Sequence, residues 1–137
     1  MDAAWKEQML ADLLFCERQH VNINAYVDKL INLMSLDSLS VDEMVFEVNA
    51  LVSAIDEHFI SEERLMKQAC YHSTDDHRDH YNSFRLELAF QVNKSQKHGF
   101  GIASETLGYI NGWSHNHDIL HDRPFHDFMM RRVRLSE

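Results

Sequence analysis

The sequence predicts an all-α domain, an up-down-up-down antiparallel bundle of four helices. Apolar residues recur every three or four positions over long segments, which is the spacing of one helix face. Only 4 glycines and 1 proline interrupt the 137 residues, so few tight turns are available for a strand-rich fold. The connections between the periodic segments are short, which favours antiparallel neighbours. Residues 1–137 are therefore predicted to form a single domain.

The first two predicted helices carry the clearest patterns. The first runs from about Trp5 to Met34, and its core-facing positions are Leu10, Leu13, Glu17, His20, Asn24, Val27, Ile31 and Met34. Ser40 followed by Glu43 is typical of a capping box and predicts the start of the second helix. The core-facing positions of that helix are Met44, Val48, Leu51, Ile55, His58, Glu62, Leu65 and Ala69. Both inner faces therefore contain polar side chains among apolar ones.

The third and fourth helices follow after short connections. Ser73 or Thr74 could cap the third, whose core-facing positions are His77, Tyr81, Phe84, Leu88 and Gln91. Two glycines within residues 97–101 separate it from the fourth, which has Leu107, Ile110, Trp113, His117 and Leu120 on its inner face. Pro124 is expected to end this helix. The bundle then covers about residues 5–123, and residues 124–137 are predicted to be an irregular, locally basic tail or a linker to a C-terminal effector domain.

The net charge of the chain and the lack of long apolar segments argue against nucleic-acid and membrane partners. The formal net charge of -9 disfavours nucleic acid and anionic membrane surfaces, since each needs a basic face. No apolar run approaches the roughly 20 residues of a membrane span, and the residues after Met1 lack the pattern of a signal peptide. Cys16 and Cys70 form neither a Cys-x-x-Cys pair nor a disulfide framework. A reduced, cytoplasmic protein is the expectation.

Polar residues on all four predicted inner faces need a common explanation. They are His20, His58, Glu62, His77, Tyr81 and His117. Burying one such group without a partner costs roughly 1–3 kcal/mol, whereas a metal ion can accept lone pairs from facing helices at once. Imidazole and carboxylate donors without thiolate suit iron, zinc or manganese, and the residues alone do not choose among these metals.

The spacing of the candidate donors is informative. His58 and Glu62 lie one turn apart on one face of a helix. Asp122 follows His117 by five residues, so it shares the face of His117 only if the helix widens or ends there. Two carboxylates among several histidines suggest two bridged metal ions. On the first helix His20 is the candidate, and a register one turn on would present Asn24 instead.

Three segments resemble motifs of the hemerythrin family, in particular of bacterial hemerythrin domains. Residues 58–66 (HFISEERLM), followed by Tyr71, resemble the family's His-Phe-x-x-Glu-Glu-x-x-Met signature on the second helix. Residues 19–30 (QHVNINAYVDKL) resemble the first-helix motif, although Asp28 stands where an asparagine is common. Residues 113–122 (WSHNHDILHD) resemble the fourth-helix Trp-x-x-x-His-x-x-x-x-Asp pattern. The resemblance extends over about residues 5–123.

The resemblance implies two iron ions (Fe2+/Fe3+) bridged by Glu62, Asp122 and an oxo or hydroxo oxygen. It assigns His20 and His58 to one iron, which has an open position for O2. It assigns His77 and His117 to the other iron. The implied exogenous ligands are O2, water or a small anion, with NO as a further candidate.

The third helix departs from the family pattern, which is His-x-x-x-His. Tyr81 occupies the second histidine position, and His80 lies one residue earlier. Tyr81 could bind iron as phenolate, His80 could reach the site, or water or chloride could fill the position. We favour the last alternative, because a tyrosine ligand is unusual for the family. Five other histidines are predicted to lie on the surface or in loops, and Glu17 is predicted to support a ligand; the five are His72, His98, His115, His121 and His126.

The function predicted from the resemblance is an O2 or redox sensor that regulates a downstream signalling domain. Six protein ligands leave both irons accessible, so the diferrous form should autoxidise quickly. A sensor tolerates this because its signal can be the change of oxidation state. A soluble O2 carrier or storage protein is the alternative. No enzyme is expected, since the sequence offers no additional general acid or base and no substrate motif.

Overall fold

The computed structural model describes residues 3–36, 40–98 and 100–135, and excludes the side chains at positions 95, 96, 98, 100–104 and 135. Helix α1 spans Ala3–Ser35, α2 spans Val41–Gln68, α3 spans Thr74–His98 and α4 spans Phe100–His117. A π-helical turn, Asp118–Asp122, leads directly from α4 into α5, Arg123–Leu135. Every regular element within the described ranges is helical, which confirms the predicted all-α class.

The four long helices pack around a common interior. Helix α1 packs against α2 and α4, and α3 also packs against α2 and α4. This closed ring of neighbours is the arrangement of a helical bundle. Among the described residues, no helix has both the length and the apolarity to cross a membrane.

Local chemistry fixes both ends of α2. Ser40 Oγ accepts a hydrogen bond from the Glu43 N–H at 3.1 Å, and Glu43 Oε1 accepts one from the Ser40 N–H at 3.2 Å, so the predicted capping box is confirmed. At the other end Cys70 has a φ of 55°, and the Tyr71 N–H donates to the Met66 carbonyl at 2.9 Å. This Schellman arrangement satisfies a terminal carbonyl and returns Tyr71 to the core beside Met66.

The inner face of α2 matches the prediction at every position. All eight of its predicted core residues are buried: Met44, Val48, Leu51, Ile55, His58, Glu62, Leu65 and Ala69. On α1 the prediction is partly wrong, because the buried residues are Met9, Leu13, Cys16, Ile23, Val27 and Leu30. The outer face of α1 also carries large apolar side chains, such as Phe15 and Val21, which are 49% and 64% exposed. Spacing alone therefore fits two neighbouring registers of α1.

Two apolar clusters hold the bundle together. The first cluster includes Ile23 and Val27 of α1, Val48 and Phe59 of α2, and residues of α3 and α4. The second cluster joins Met9, Leu13 and Cys16 of α1 to Leu65 and Met66 of α2 and to α5. Along α1 the clusters leave a gap between residues 16 and 23, and along α2 a gap between residues 59 and 65. His20 and Glu62 lie in these gaps, so a polar layer separates the two apolar clusters.

The segment after Pro124 is helical, and the predicted irregular tail is wrong. Phe125, Met129 and Val133 are buried at helical spacing, and the first two pack in the second cluster. Pro124 does not end the helix because it lies in the first turn of α5, where its missing N–H costs little. Just before it, the Arg123 N–H bonds the Asp118 carbonyl five residues back, so the backbone is already widened there.

Candidate metal centre

The six residues predicted as ligands come together in the polar layer. They are His20 of α1, His58 and Glu62 of α2, His77 of α3, His117 of α4 and Asp122 at the end of the π-helical turn. Four of the six side chains are almost fully buried: His58, Glu62, His77 and His117 are 4%, 3%, 0% and 1% exposed. Asn24, the alternative to His20, is exposed and accepts a hydrogen bond from Ser114 Oγ at 2.8 Å.

The carboxylate of Glu62 faces histidines on two sides. Its Oε1 contacts His58 Nε2. Its Oε2 lies 3.2 Å from His77 Nε2 and 3.9 Å from His117 Nε2. One carboxylate thus joins an imidazole of α2 to imidazoles of α3 and α4.

The carboxylate of Asp122 is arranged in the same way. Its Oδ2 lies 2.9 Å from His20 Nδ1, and its Oδ1 lies 2.9 Å from His117 Nε2. Both carboxylates therefore direct one oxygen towards the pair His20 and His58 and the other towards the pair His77 and His117. Two ions bridged by two carboxylates require this pattern of donors.

The π-helical turn accounts for the position of Asp122. In an α-helix a residue five positions after His117 would lie about 140° around the axis from it. The wider i→i+5 turn over Asp118–Asp122 brings Asp122 back to the face of His117. The helix therefore widens at this point, and the alternative that it ends there is wrong. The same turn displaces Leu120, which was predicted to face the core and is 61% exposed.

The buried donor atoms at the centre lack hydrogen-bond partners. Five ligand atoms are buried without one: His58 Nε2, Glu62 Oε1, His77 Nε2, His117 Nε2 and Asp122 Oδ1. The ligand atoms of His20, His58 and Asp122 lie within 4.8 Å of one another, and so do those of Glu62, His77 and His117. Buried polar atoms normally find partners. A cation in each group would satisfy them, and the imidazole and carboxylate donors suit iron, zinc or manganese.

Electrostatics shows that the centre favours positive charge. Burial alone would raise the pKa of Glu62, but the charge of His58 and the close approach of the His117, His58 and His77 imidazoles to the carboxylate hold it well below its ordinary value. Burial also disfavours the charged form of His117. The close approach and the charges of the Asp122 and Glu62 carboxylates outweigh that effect and raise the pKa of His117 to about 9. Without a metal, protons on the imidazoles supply the charge that the carboxylates require.

Two side chains that the sequence did not assign lie behind the ligands. His58 Nδ1 is 3.2 Å from Gln19 Oε1. A proton on Nδ1 that is donated to this amide oxygen leaves the lone pair of Nε2 free towards Glu62, which is the usual support of a metal-binding histidine. Glu63 lies similarly behind His77, with its Oε1 4.0 Å from Nδ1. The sequence offered one signal for both residues, since Gln19 directly precedes the predicted ligand His20 and Glu63 directly follows the predicted ligand Glu62.

Glu17 was predicted to support a ligand, but it pairs instead with His126 of α5 at 2.6 Å. His72 and His115 are exposed, as predicted, and the side chain of His98 lies outside the described residues. These residues add no donor to the centre.

Tyr81 and two histidines lie near the group of donors formed by Glu62, His77 and His117. The Tyr81 ring stacks on Phe59 at 3.8 Å between centroids, and its hydroxyl is buried without a hydrogen-bond partner. His80 stacks on His117 at 5.5 Å. His121, predicted to be a surface residue, is half-buried and lies 4.3 Å from His80 and 5.2 Å from His117 between ring centroids. Burial and the neighbouring histidines lower the pKa of His121 to about 4.

A cavity of about 440 Å³ leads to the group of donors formed by His20, His58 and Asp122. His20, His58, Glu62 and Asp122 lie at its inner end, and apolar residues such as Leu13 line its wall. Three further lining residues have partly exposed side chains, so the cavity opens to solvent: Glu17, Arg123 and His126. A small molecule could therefore reach the donors of α1 and α2 without unfolding.

Comparison of the chain with family models, curated proteins and solved structures finds no match. Any assignment of function therefore depends on the residues and geometry of the centre.

Proposed function

We propose that this chain is a hemerythrin-type domain that binds two iron ions in an up-down-up-down antiparallel four-helix bundle. Its ligands are His20, His58, Glu62, His77, His117 and Asp122. The observation that supports this most strongly is that Glu62 and Asp122 each face both pairs of histidines with opposite oxygens. Ligands from facing helices are the usual way in which bundles hold a di-iron site.

The proposed helix directions are supported by the two apolar clusters. The second cluster joins the beginning of α1 to the end of α2, in residues 9–16 and 65–69. The first cluster joins the end of α1 to the beginning of α2, in residues 23–30 and 44–59. Neighbouring helices that run in opposite directions produce this pairing.

In the proposed centre each side chain has one role. His20 and His58 bind one ion, His77 and His117 bind the other, and the two carboxylates bridge them. Gln19 fixes the ring orientation of His58 by accepting its Nδ1 proton. When bound, the iron pair would supply a reversible Fe2+/Fe3+ couple and a binding position for O2.

We infer a sensor of O2 or redox state, with a soluble O2 carrier or storage protein as the alternative. The open cavity reaches the donors of the first ion, so water and protons can reach the centre as well as O2. Such access favours rapid oxidation of a ferrous pair, which defeats O2 carriage. A sensor can use the same change of oxidation state as its signal.

Metal analysis combined with optical spectroscopy tests the proposal. The purified protein is analysed for metals, reduced without air, and then exposed to O2 while its spectrum is followed. We expect two irons per chain and a rapid conversion to the ferric spectrum. A long-lived spectrum that reverts when O2 is removed would favour the carrier. The absence of iron, or a single zinc, would refute the di-iron proposal.

A matched pair of variants separates the centre from general effects on the fold. Glu62→Gln removes the charge of a proposed bridge, and Glu57→Gln changes an exposed residue on the same helix. We expect Glu62→Gln to lose iron and Glu57→Gln to retain two irons per chain. Equal iron content in both variants would contradict the role of Glu62.

A further inference from the structure

Three histidines form a further cluster of possible metal ligands beside the carboxylate-bridged centre. His80 comes from α3, His117 from α4 and His121 from the π-helical turn. One ring nitrogen of each lies within 4.8 Å of the other two. The ring centroids are 4.3 Å apart for His80 and His121, and 5.2 Å apart for His117 and His121. The group therefore contains imidazoles alone, without a carboxylate.

Aromatic packing does not explain this group. His80 Nε2 and His117 Nδ1 are both buried without a hydrogen-bond partner, and His117 is only 1% exposed. Histidines that serve as packed rings normally bond their nitrogens to protein or water, because an unsatisfied buried polar atom is costly. Two unsatisfied nitrogens in one group of three point to a missing common partner.

The distances suit a metal ion as that partner. A zinc ion binds histidine nitrogen at about 2.0–2.1 Å, so nitrogens on one ion lie roughly 3–4 Å apart. The three nitrogens lie no more than 4.8 Å from one another, so small side-chain rotations are enough to bring them to one ion. Three imidazoles form a known donor set for zinc, with a fourth position left for water, and they also suit copper, nickel and iron.

We propose that His80, His117 and His121 bind one divalent transition-metal ion, with Zn2+ as the reference ion, beside the carboxylate-bridged centre. The site goes beyond the proposed di-iron function and does not depend on it, since its donors are present whichever metal Glu62 and Asp122 hold. His117 belongs to both the carboxylate-bridged centre and this group, because its Nε2 lies 2.9 Å from Asp122 Oδ1 and its Nδ1 is buried without a hydrogen-bond partner. The additional ion therefore either accompanies the bridged pair or competes with it for His117. In both cases His80 and His121 alter the metal binding of the whole chain.

Titration of the metal-free protein with Co2+, an optical probe for Zn2+ sites, tests this inference. The variants are His80→Ala, His121→Ala and the double variant, and the control is His115→Ala, which removes an exposed histidine of α4. We expect the double variant to bind one equivalent of Co2+ more weakly than the unaltered protein. The loss of affinity should be at least as large as the roughly 10- to 100-fold loss that follows removal of a residue supporting a metal ligand. Its visible Co2+ spectrum should change as well, and His115→Ala should match the unaltered protein. Competition with Zn2+ should displace the same equivalent.

The inference is overturned if the double variant binds as many equivalents of Co2+ as the unaltered protein, with the same affinity and spectrum. His80 and His121 are only half-buried, and circular dichroism of each variant checks that the helices remain. The di-iron proposal would fail on a different observation, which is the absence of iron from the unaltered protein. That result would leave the comparison of Co2+ binding intact.

Discussion

The pKa of His117 predicts that the metal-free protein loses stability as the pH rises from 6.5 to about 9. Burial lowers this pKa, but the close approach and the charges of the Asp122 and Glu62 carboxylates raise it to about 9, against an ordinary value of 6.5. The folded protein therefore holds a proton that the unfolded chain releases near pH 6.5. The stabilisation is fully present below pH 6.5 and disappears as the pH passes the folded value of about 9.

The size of the effect follows from the difference between the two pKa values. Each pKa unit is worth about 1.4 kcal/mol, so a rise from 6.5 to about 9 contributes about 3 kcal/mol to the free energy of unfolding. The pKa of His20 is also raised, chiefly by its hydrogen bond to Asp122, and adds a loss of the same sign. The pKa of His121 is lowered by burial, so its contribution is lost instead as the pH falls below 6.5. Stability should therefore be greatest near pH 6.5.

Urea unfolding of the metal-free protein, followed by circular dichroism at intervals between pH 6.5 and 9, measures this loss. Asp122→Asn is the informative variant, because it removes one of the two carboxylate charges that raise the pKa of His117. We expect a decline for the unaltered protein and a shallower decline for Asp122→Asn, in which Glu62 alone still raises the pKa of His117. Saturation with metal should also flatten the profile, since bound ligands no longer exchange protons. A constant free energy of unfolding across this range in the unaltered, metal-free protein would refute the reasoning.

Three further predictions test separate parts of the molecule. Gln19→Leu removes the acceptor of His58 Nδ1 and should weaken metal binding roughly 10- to 100-fold, measured by metal titration. Ser40→Ala removes the cap of α2 and should lower the free energy of unfolding by about 1 kcal/mol, measured in urea. Met129→Ala leaves a cavity between α5 and the bundle and should cost about 2–5 kcal/mol in the same assay.

Each of these predictions has a matched control. Gln8→Leu changes an exposed glutamine of α1, Ser53→Ala an exposed serine within α2, and Arg131→Ala an exposed residue of α5. Metal affinity should be unaffected by Gln8→Leu, and the free energy of unfolding should be within about 0.5 kcal/mol of the unaltered value for Ser53→Ala and Arg131→Ala. If Met129→Ala lowered the free energy of unfolding as little as Arg131→Ala, α5 would not belong to the stable core.

Much of α2 could be predicted from the sequence. Its capping box and all its inner positions were correct, because one face carries the apolar residues and the other is largely polar. The six candidate ligands were also found from polar residues within helical patterns and from the resemblance of the motifs. Their convergence in one layer needed the structure, because the contacts join residues that lie far apart in the sequence.

Elsewhere the sequence left alternatives that only packing resolved. The register of α1 was ambiguous because apolar residues occupy both its faces, and contact with α2 selects Met9 and Cys16 rather than Leu10 and Glu17. Residues 124–137 were expected to be irregular because Pro124 was expected to end the fourth helix. The second cluster nevertheless buries Phe125 and Met129, and this burial stabilises the helix.

The sequence by itself determined which helical faces are apolar and which polar residues interrupt them, because side-chain periodicity is a local property of the chain. The tertiary structure alone decided how Asp122, His121 and Gln19 meet the other donors. The widened turn at Asp118–Asp122 changes the direction of every residue after His117. Its effect on the site depends on neighbours far away in sequence, and periodicity within one helix cannot supply their positions.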